Sequence, residues 1–371
     1  MAPVLRAFER AIDESPGGGG AVAVYIDGDC VLDAWSGLAD RRHNRPWLEQ
    51  TASVVFSCTK GLLAILTHRL VERGLLDLDA TVATYWPEFM TAGKAEISVS
   101  DLLTHRAGLA AFDEPVTFEE LLDWRRMIAR LEAQKPLWTP GSTYSYHAIT
   151  YGWLLGEVLH RVTGKTTDAL FDDVFVQGLG AEVALGAAAA APGRAHVEVG
   201  RSSFVDEPRT EKEHWDRLTL TLGGALPVDL VGEGAGFNRD DVLVAGLPSA
   251  GAVATARGLA KIWSATVRST DGVRLLDDAT IAEQTRPQSE GEPYFTVPGP
   301  WSRWGSGYML PSDRRPLLGA QSFGHDGAGG QLGFADRELG VGFGFVTNWL
   351  SDGQDRRANS IVDALREALR R

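Results

Sequence analysis

Ser57-Cys58-Thr59-Lys60 sets a hydroxyl and an amine three residues apart at the head of a predicted helix. Positions i and i+3 share a helix face, so Ser57 Oγ and Lys60 Nζ can approach each other. Unpaired amides and the positive end of the helix dipole favour an incipient alkoxide there. A lysine drawn partly out of water beside that hydroxyl has a lowered pKa and can accept its proton. The implied chemistry is nucleophilic attack by a serine with an amine as base. The same residues also describe a serine N-cap with a surface lysine one turn later, although Lys60 is one of six lysines and stands in an apolar stretch.

A second segment runs Trp138-Thr139-Pro140-Gly141-Ser142-Thr143-Tyr144-Ser145-Tyr146-His147-Ala148 into a predicted helix over Tyr151–Val162. A Pro-Gly turn before a helix entrance can present a tyrosine rigidly to a cleft. Tyrosine ionises near pH 10, so it acts as a base only beside a cation such as Lys60; the alternative is a pair of buried aromatics with satisfied hydroxyls. The third segment, Gly324-His325-Asp326-Gly327-Ala328-Gly329-Gly330, lies between strand-like runs. Its glycines allow close backbone approach, and an edge amide there can form half of an oxyanion hole. A tight glycine hairpin with an exposed histidine fits the same residues.

The elements that must position these groups are legible in part. Ala21–Ile26 and Cys30–Trp35 flank Asp27-Gly28-Asp29, a hairpin signal. The Gly17–Gly20 run lacks a following Gly-Lys-Ser/Thr and reads as a lead-in to the strand, not a phosphate loop. Leu62, Leu63, Leu66, Leu70 and Val71 give Ser57–Leu75 a helical period, and Leu5, Phe8 and Ile12 share a face near the start. Short helices are predicted at Ile97–Leu103, Phe118–Arg130 and Thr167–Phe175, and Ala187–Ala191 reads as a surface linker. Strand signals return at Gln321–Phe323, Gln331–Asp336 and Gly340–Thr347, before a last helix carrying Ala358, Ile361, Leu365 and Leu369. Strands at both ends with helices between predict an α/β fold of the α+β type: an antiparallel sheet flanked by helices, plus a mostly helical region. The expected division is a discontinuous α/β region, 1–75 plus 249–371, and a helical region, 76–248, in one catalytic unit.

Composition narrows the function classes. The chain of 371 residues carries 36 basic and 49 acidic side chains, a formal charge of −13, which repels a nucleic-acid backbone on average. Two cysteines make no disulfide framework, and Cys58 reads as a packing residue. Histidines at no HxH or HxxxH spacing give no expectation of a metal. No cofactor is expected. No Gly-x-Ser-x-Gly elbow occurs, against an α/β-hydrolase. Arg6, Glu9 and Arg10 interrupt any apolar leader and no transmembrane run is present, so the expectation is a cytoplasmic protein without membrane or nucleic-acid partners. Its oligomeric state is left open.

Taken together, in this order and spacing, the three segments resemble the serine β-lactamase-like superfamily: class C β-lactamases, DD-peptidases and, most closely, the family VIII carboxylesterases. Leu76-Asp77-Leu78-Asp79-Ala80, Ile97–Leu109 and the strand region Gly340–Thr347 extend the resemblance over nearly the whole chain. It implies a serine β-lactamase or penicillin-binding-protein-like fold with the site where sheet and helical region meet. It implies Ser57 as the acylated nucleophile, Lys60 and Tyr146 as general base and acid, and the N–H groups of Ser57 and Ala328 as the oxyanion hole. His325 and Gly327 take the first and third places of the family's Lys-Thr-Gly or His-x-Gly element. His105, in Leu102-Leu103-Thr104-His105, is expected to make structural hydrogen bonds.

Two departures bear on substrate. The Tyr-x-Asn element reads Tyr146-His147-Ala148, which removes an amide contact, and His325 stands where a lysine would meet a carboxylate. A histidine is mostly neutral at pH 7. An uncharged ester has less need of either contact than a β-lactam or peptide, so the expected activity is that of a carboxylesterase acting on small-molecule esters with water. β-Lactamase, D-amino-acid amidase and acyltransferase activities, or an idle binding module, are the alternatives. Trp138, Trp304 and His147 are expected to line the substrate site, with further walls from Ala110–Arg126 and Val228–Leu247.

Overall fold

The computed structural model describes residues 1–200, 210–295, 299–351 and 355–370. Helix α1 (Ala2–Asp13) leads into strands β1 (Gly19–Ile26), β2 (Asp29–Asp40) and β3 (Arg45–Pro46), then helix α2 (Cys58–Glu72). Further along come helices α3 (Thr150–Thr163) and α4 (Ala256–Val267) and the remaining strands of the main sheet, β4 (Arg303–Trp304), β5 (Met309–Leu310), β6 (Ser322–Asp326), β7 (Leu332–Asp336) and β8 (Val341–Thr347). Helix α5 (Arg357–Leu369) comes last. The strands form an eight-stranded antiparallel sheet in the order β4-β5-β6-β7-β8-β1-β2-β3, so early and late strands join at β8–β1. The β1–β2 turn is the expected one: Asp27 (φ 51°) and Gly28 (φ 94°) both take positive φ, the geometry that matches strand twist.

Alternation along the strands divides the core. Val22, Val24, Phe334, Phe343 and Phe345 face α1 and α5, meeting Val4, Phe8, Ile361 and Leu365. Ala21, Ala23, Phe323, Ala335 and Val346 belong to the larger core with Leu62, Leu259 and Trp263 of α2 and α4. Glycines in β8 let α4 lie directly on the sheet; a methyl on Gly344 would stand 2.9 Å from the Ala260 nitrogen. Helix α2 is buried along nearly its whole length, since it is enclosed between sheet and helices, and that is why its sequence is apolar on every side.

Four departures from the sequence reading are local. The expected Phe118–Arg130 helix is two, Phe118–Leu121 and Trp124–Ala133, because Asp123 caps the second by accepting from Arg126 N at 3.2 Å. The α-helix at Thr167 ends at Phe171 and continues as a π-helical turn over Asp172–Gln177. The alanine run lies at the surface as expected, with Ala187, Ala188 and Ala191 exposed, but it forms a 3-10 turn, Gly186–Ala190, that buries Ala189. The buried face of α1 also turns by one residue from expectation, with Val4, Ala7, Phe8 and Ala11 inside and Leu5 outside. No described helix is long and apolar enough to cross a membrane.

A small three-stranded sheet bears directly on the site. Ser53–Val54 pairs with Val253–Ala254, which also pairs with Val183–Ala184. It delivers the chain to the head of α2 against the segment that precedes α4.

Candidate active site

Ser57 is the N-cap of α2, reached through Phe56, whose φ of 44° is left-handed. A bulky residue in that region is held there by its surroundings. Val55 N donates to Ala252 O at 2.9 Å, Ala252 N donates to Thr59 Oγ1 at 3.1 Å, and Thr59 Oγ1 donates to Phe56 O at 2.6 Å. The Phe56 ring is fully buried, edge-on to Phe237 at 5.6 Å. The sharp turn lifts Ser57 out of the core and leaves it partly exposed.

Lys60, one turn on, is completely buried. Its Nζ donates to Ser57 Oγ at 3.1 Å and to the Ser249 carbonyl at 2.8 Å, and lies 5.0 Å from the Tyr146 ring centre. The carboxylate that bears on it electrostatically, Asp326, is already paired with Arg315 at 2.7 Å. Burial therefore holds the Lys60 amine well below the usual lysine range. Burial also pushes the Tyr146 phenol well up, against the opposing pull of a hydrogen bond to Ser57. The surroundings thus favour the uncharged, proton-accepting form of the amine and a phenol that keeps its proton.

Tyr146 is wedged by rings: stacked on Trp304 at 5.3 Å, edge-on to His105 at 4.9 Å, and 6.0 Å from His325. His105, with φ 62°, ties the backbone on both sides of Tyr146, since Ser145 N donates to its carbonyl at 3.1 Å and His147 N to its Nδ1 at 3.3 Å. The expected structural hydrogen bonding of His105 is what the structure contains.

His147 is fully buried, with Nδ1 donating to Ser145 O at 2.7 Å and Nε2 accepting from Leu109 N at 3.0 Å. Both ring nitrogens are thereby engaged by backbone, and desolvation lowers its pKa to about 4. It braces the Tyr146 segment, which leaves no nitrogen for a substrate. His325 is likewise buried; Nδ1 donates to Asp326 O at 2.6 Å, and burial with the nearby Lys60 lowers its pKa to about 4. It is neutral at pH 7, its ring lies 6.0 Å from that of Tyr146 and 5.4 Å from that of Trp304, and its Nε2 has no hydrogen-bond partner among the described residues. Trp304 joins this ring cluster, whereas Trp138 packs with Tyr294 at 4.9 Å and Phe295 at 5.8 Å, on the outer side of His147. Cys58 is fully buried, its thiol pushed up by burial and donating to His325 O at 3.2 Å.

Gly327 is a point of close approach. A methyl there would collide with the Val55 carbonyl and stand 2.9 Å from Gln331 Cβ, so only glycine brings the end of β6 against the strand that leads to Ser57. Ala328 then opens a 3-10 turn, Ala328–Gly330, and Ser57 opens α2. Amides at such positions have no partner inside their own helix. The sequence reading had not singled out Phe56 or Ser249. Neither carries a signal, because one acts through its backbone angle and the other through its carbonyl. Among the described residues, no cluster of three or more His, Cys, Asp or Glu could hold a metal ion.

Residues 6–368 match the profile of the Beta-lactamase family. The chain belongs to the beta-lactamase family. Within that family it is similar to a Mycobacterium tuberculosis protein described as esterase/beta-lactamase LipL, 36% identical over 357 residues and spanning 94% of this chain and 81% of that one. A crystal structure of a family VIII carboxylesterase superposes with a TM-score of 0.85 at 30% identity, covering 98% of this chain and 96% of that one. EstA of Arthrobacter nitroguajacolicus Rue61a gives 0.86 at 31% identity, covering 99% and 96%. The antiparallel sheet with its helices is the beta-lactamase fold, and the chain is a hydrolase of that fold close to the family VIII esterases.

Proposed function

We propose that this beta-lactamase-family protein is a serine carboxylesterase that hydrolyses small, uncharged carboxylic esters through an acyl-enzyme on Ser57. The observation that carries the reading is the buried, weakly basic Lys60 amine 3.1 Å from Ser57 Oγ. Lys60 takes the Ser57 proton as Oγ attacks the ester carbonyl. The N–H groups of Ser57 and Ala328 meet the oxyanion, and each such donor is worth roughly 3 kcal/mol of barrier. The intermediate collapses as Lys60 returns the proton, through the Tyr146 hydroxyl, to the departing alcohol. Water, deprotonated by the same pair, then releases the acid and restores Ser57.

The choice of an ester rests on what surrounds the nucleophile. Ala148 offers no side-chain amide, and His325 is neutral, so the site lacks both the amide contact and the cation that would meet the carboxylate of a β-lactam. The similar proteins described as esterase or carboxylesterase support the same choice. A second reading, β-lactam hydrolysis at the same serine, is favoured by the description of LipL as esterase/beta-lactamase.

The test is intact-mass spectrometry of the wild type and Ser57→Ala after brief exposure to p-nitrophenyl butyrate, with nitrophenol followed in parallel. Release in the wild type and its loss in Ser57→Ala is expected. Equal release from both would end the assignment of Ser57, and faster turnover of a chromogenic cephalosporin than of the ester would favour the second reading.

A further inference from the structure

We propose that Arg357 is a positioning residue: from the first turn of α5 it holds the Ala328–Gly330 turn in register with Ser57. The inference rests on the reading of Ala328 N–H as an oxyanion donor. Backbone bonds close the turn, Gly327 N donating to Gln331 O at 2.9 Å and Gly330 N to Gly327 O at 3.3 Å, but Gly329 (φ 77°) and Gly330 (φ 99°) within it take left-handed conformations that glycine enters and leaves freely. The side chain that ties them is a guanidinium. Arg357, only 3% exposed, donates from Nη2 to Gly329 O at 2.9 Å and to Trp349 O at 2.8 Å. Its Nε donates to Asp355 Oδ1 at 3.0 Å, and its Nη1 to Ser15 Oγ.

The anchored carbonyl belongs to the residue directly after Ala328, so its direction and that of the Ala328 amide are set within one short turn. A planar fork fixed on one edge by a carboxylate can hold two carbonyls in fixed directions, which a point charge cannot. The other flank of the turn is tied to the same helix: Arg315 pairs with Asp326 at 2.7 Å and donates to Asn359 Oδ1. Helix α5 thus grips the turn before Gly327 and after Ala328.

Folding alone is a poor reason for this arrangement. Burying an ion pair adds little net stability and is often matched by apolar side chains of the same volume. Among the described residues Arg357 is the arginine that faces solvent least, and it is spent on carbonyls beside the proposed oxyanion donor. Among the described residues that bond it, Asp355 neutralises Arg357, and Ser15, Gly329 and Trp349 contribute uncharged oxygens.

The test compares wild type, Arg357→Lys, and the double variant Arg357→Met with Asp355→Asn, which removes the fork without stranding the acid. The measurements are kcat and KM for p-nitrophenyl butyrate, active sites per chain titrated with a p-nitrophenyl phosphonate ester, and thermal unfolding. In Arg357→Lys, which keeps the charge and folds, kcat is expected to fall about tenfold with KM within about twofold and full titration. The double variant is expected to lose on the order of a hundredfold in kcat. Wild-type kcat in Arg357→Lys, or a loss of rate matched by an equal loss of titratable sites, would overturn the positioning role. Absence of Ser57-dependent release in the wild type itself would instead overturn the reading on which it rests.

Discussion

Gly327→Ala probes how the two proposed oxyanion donors are brought together. The added methyl is aimed at the Val55 carbonyl, a backbone atom two residues before the nucleophile, and lies 2.9 Å from Gln331 Cβ. Neither neighbour can move cheaply. Val55 N is bonded to Ala252 O at 2.9 Å, and the Gln331 side chain is bonded to both Thr347 O (2.7 Å) and Thr347 N (2.8 Å). Carbon settles against a neighbouring heavy atom at about 3.5 Å, so relief requires β6 and the Val55–Ser57 segment to part by about 1 Å. An amide drawn about 1 Å beyond hydrogen-bond length no longer donates, which removes roughly 3 kcal/mol of transition-state stabilisation, on the order of a hundredfold in kcat. The overpacking itself costs about 1–3 kcal/mol of stability, a few degrees of Tm in a chain of this length. Steady-state hydrolysis of p-nitrophenyl butyrate, phosphonate titration and a thermal melt separate the two effects. A variant that keeps more than about one-tenth of wild-type kcat would refute the argument that this contact sets the oxyanion gap.

Lys60 ties activity and stability to pH with a definite sign. Its folded pKa lies well below its unfolded value of 10.5, so between the two the unfolded chain binds the extra proton and stability rises with pH. Lys60→Met is therefore expected to be inactive yet more resistant to urea than the wild type near neutrality, its advantage shrinking toward pH 10; a pH-independent difference in urea midpoint would contradict this. By the same titration, wild-type kcat/KM falls on acidification as the Lys60 amine is protonated. His147→Ala strands the Leu109 N–H and the Ser145 carbonyl, so it should lower stability by about 1–3 kcal/mol per group while leaving KM within about twofold. A marked rise in KM at unchanged Tm would return His147 to the substrate site.

The parts of the fold that were legible in the sequence are those where one local pattern decides the outcome. The apolar runs Ala21–Ile26 and Cys30–Trp35 about Asp27-Gly28, and the apolar period of Ser57–Leu75, correspond to β1, β2 and α2. Ser57, Lys60 and Tyr146 were singled out from residue type and spacing, and Gly327 and Ala328 from the family resemblance; the structure sets Lys60 against Ser57 and Tyr146, and Gly327 against the Val55 carbonyl. What escaped depends on contacts distant in sequence. The two-residue strands at Ser53, Val183 and Val253 are too short to carry a period, and they exist because they pair with one another. The left-handed Phe56 is imposed by Thr59 and Ala252 against the preference of phenylalanine. His147 and His325, unlike His105, were read as substrate-facing or exposed, because composition cannot reveal which backbone groups will claim a ring nitrogen.

The small sheet and the long reach of Lys60 have a consequence for how the chain acquires activity. The nucleophile's turn is closed by residues 249–252, some 190 positions along the chain (Lys60 to Ser249 spans 189), and by the end of β6, 267 positions from Cys58. Contacts of such separation are entropically expensive to close and form late, after helices and hairpins have already appeared. A partly folded chain can hold its helix α2 and its β1–β2 hairpin, with nearly native far-ultraviolet dichroism, while Phe56 relaxes to an ordinary angle and Ser57 loses its neighbours. Hydrolytic turnover thus reports on the last stage of refolding and not on the secondary structure that precedes it.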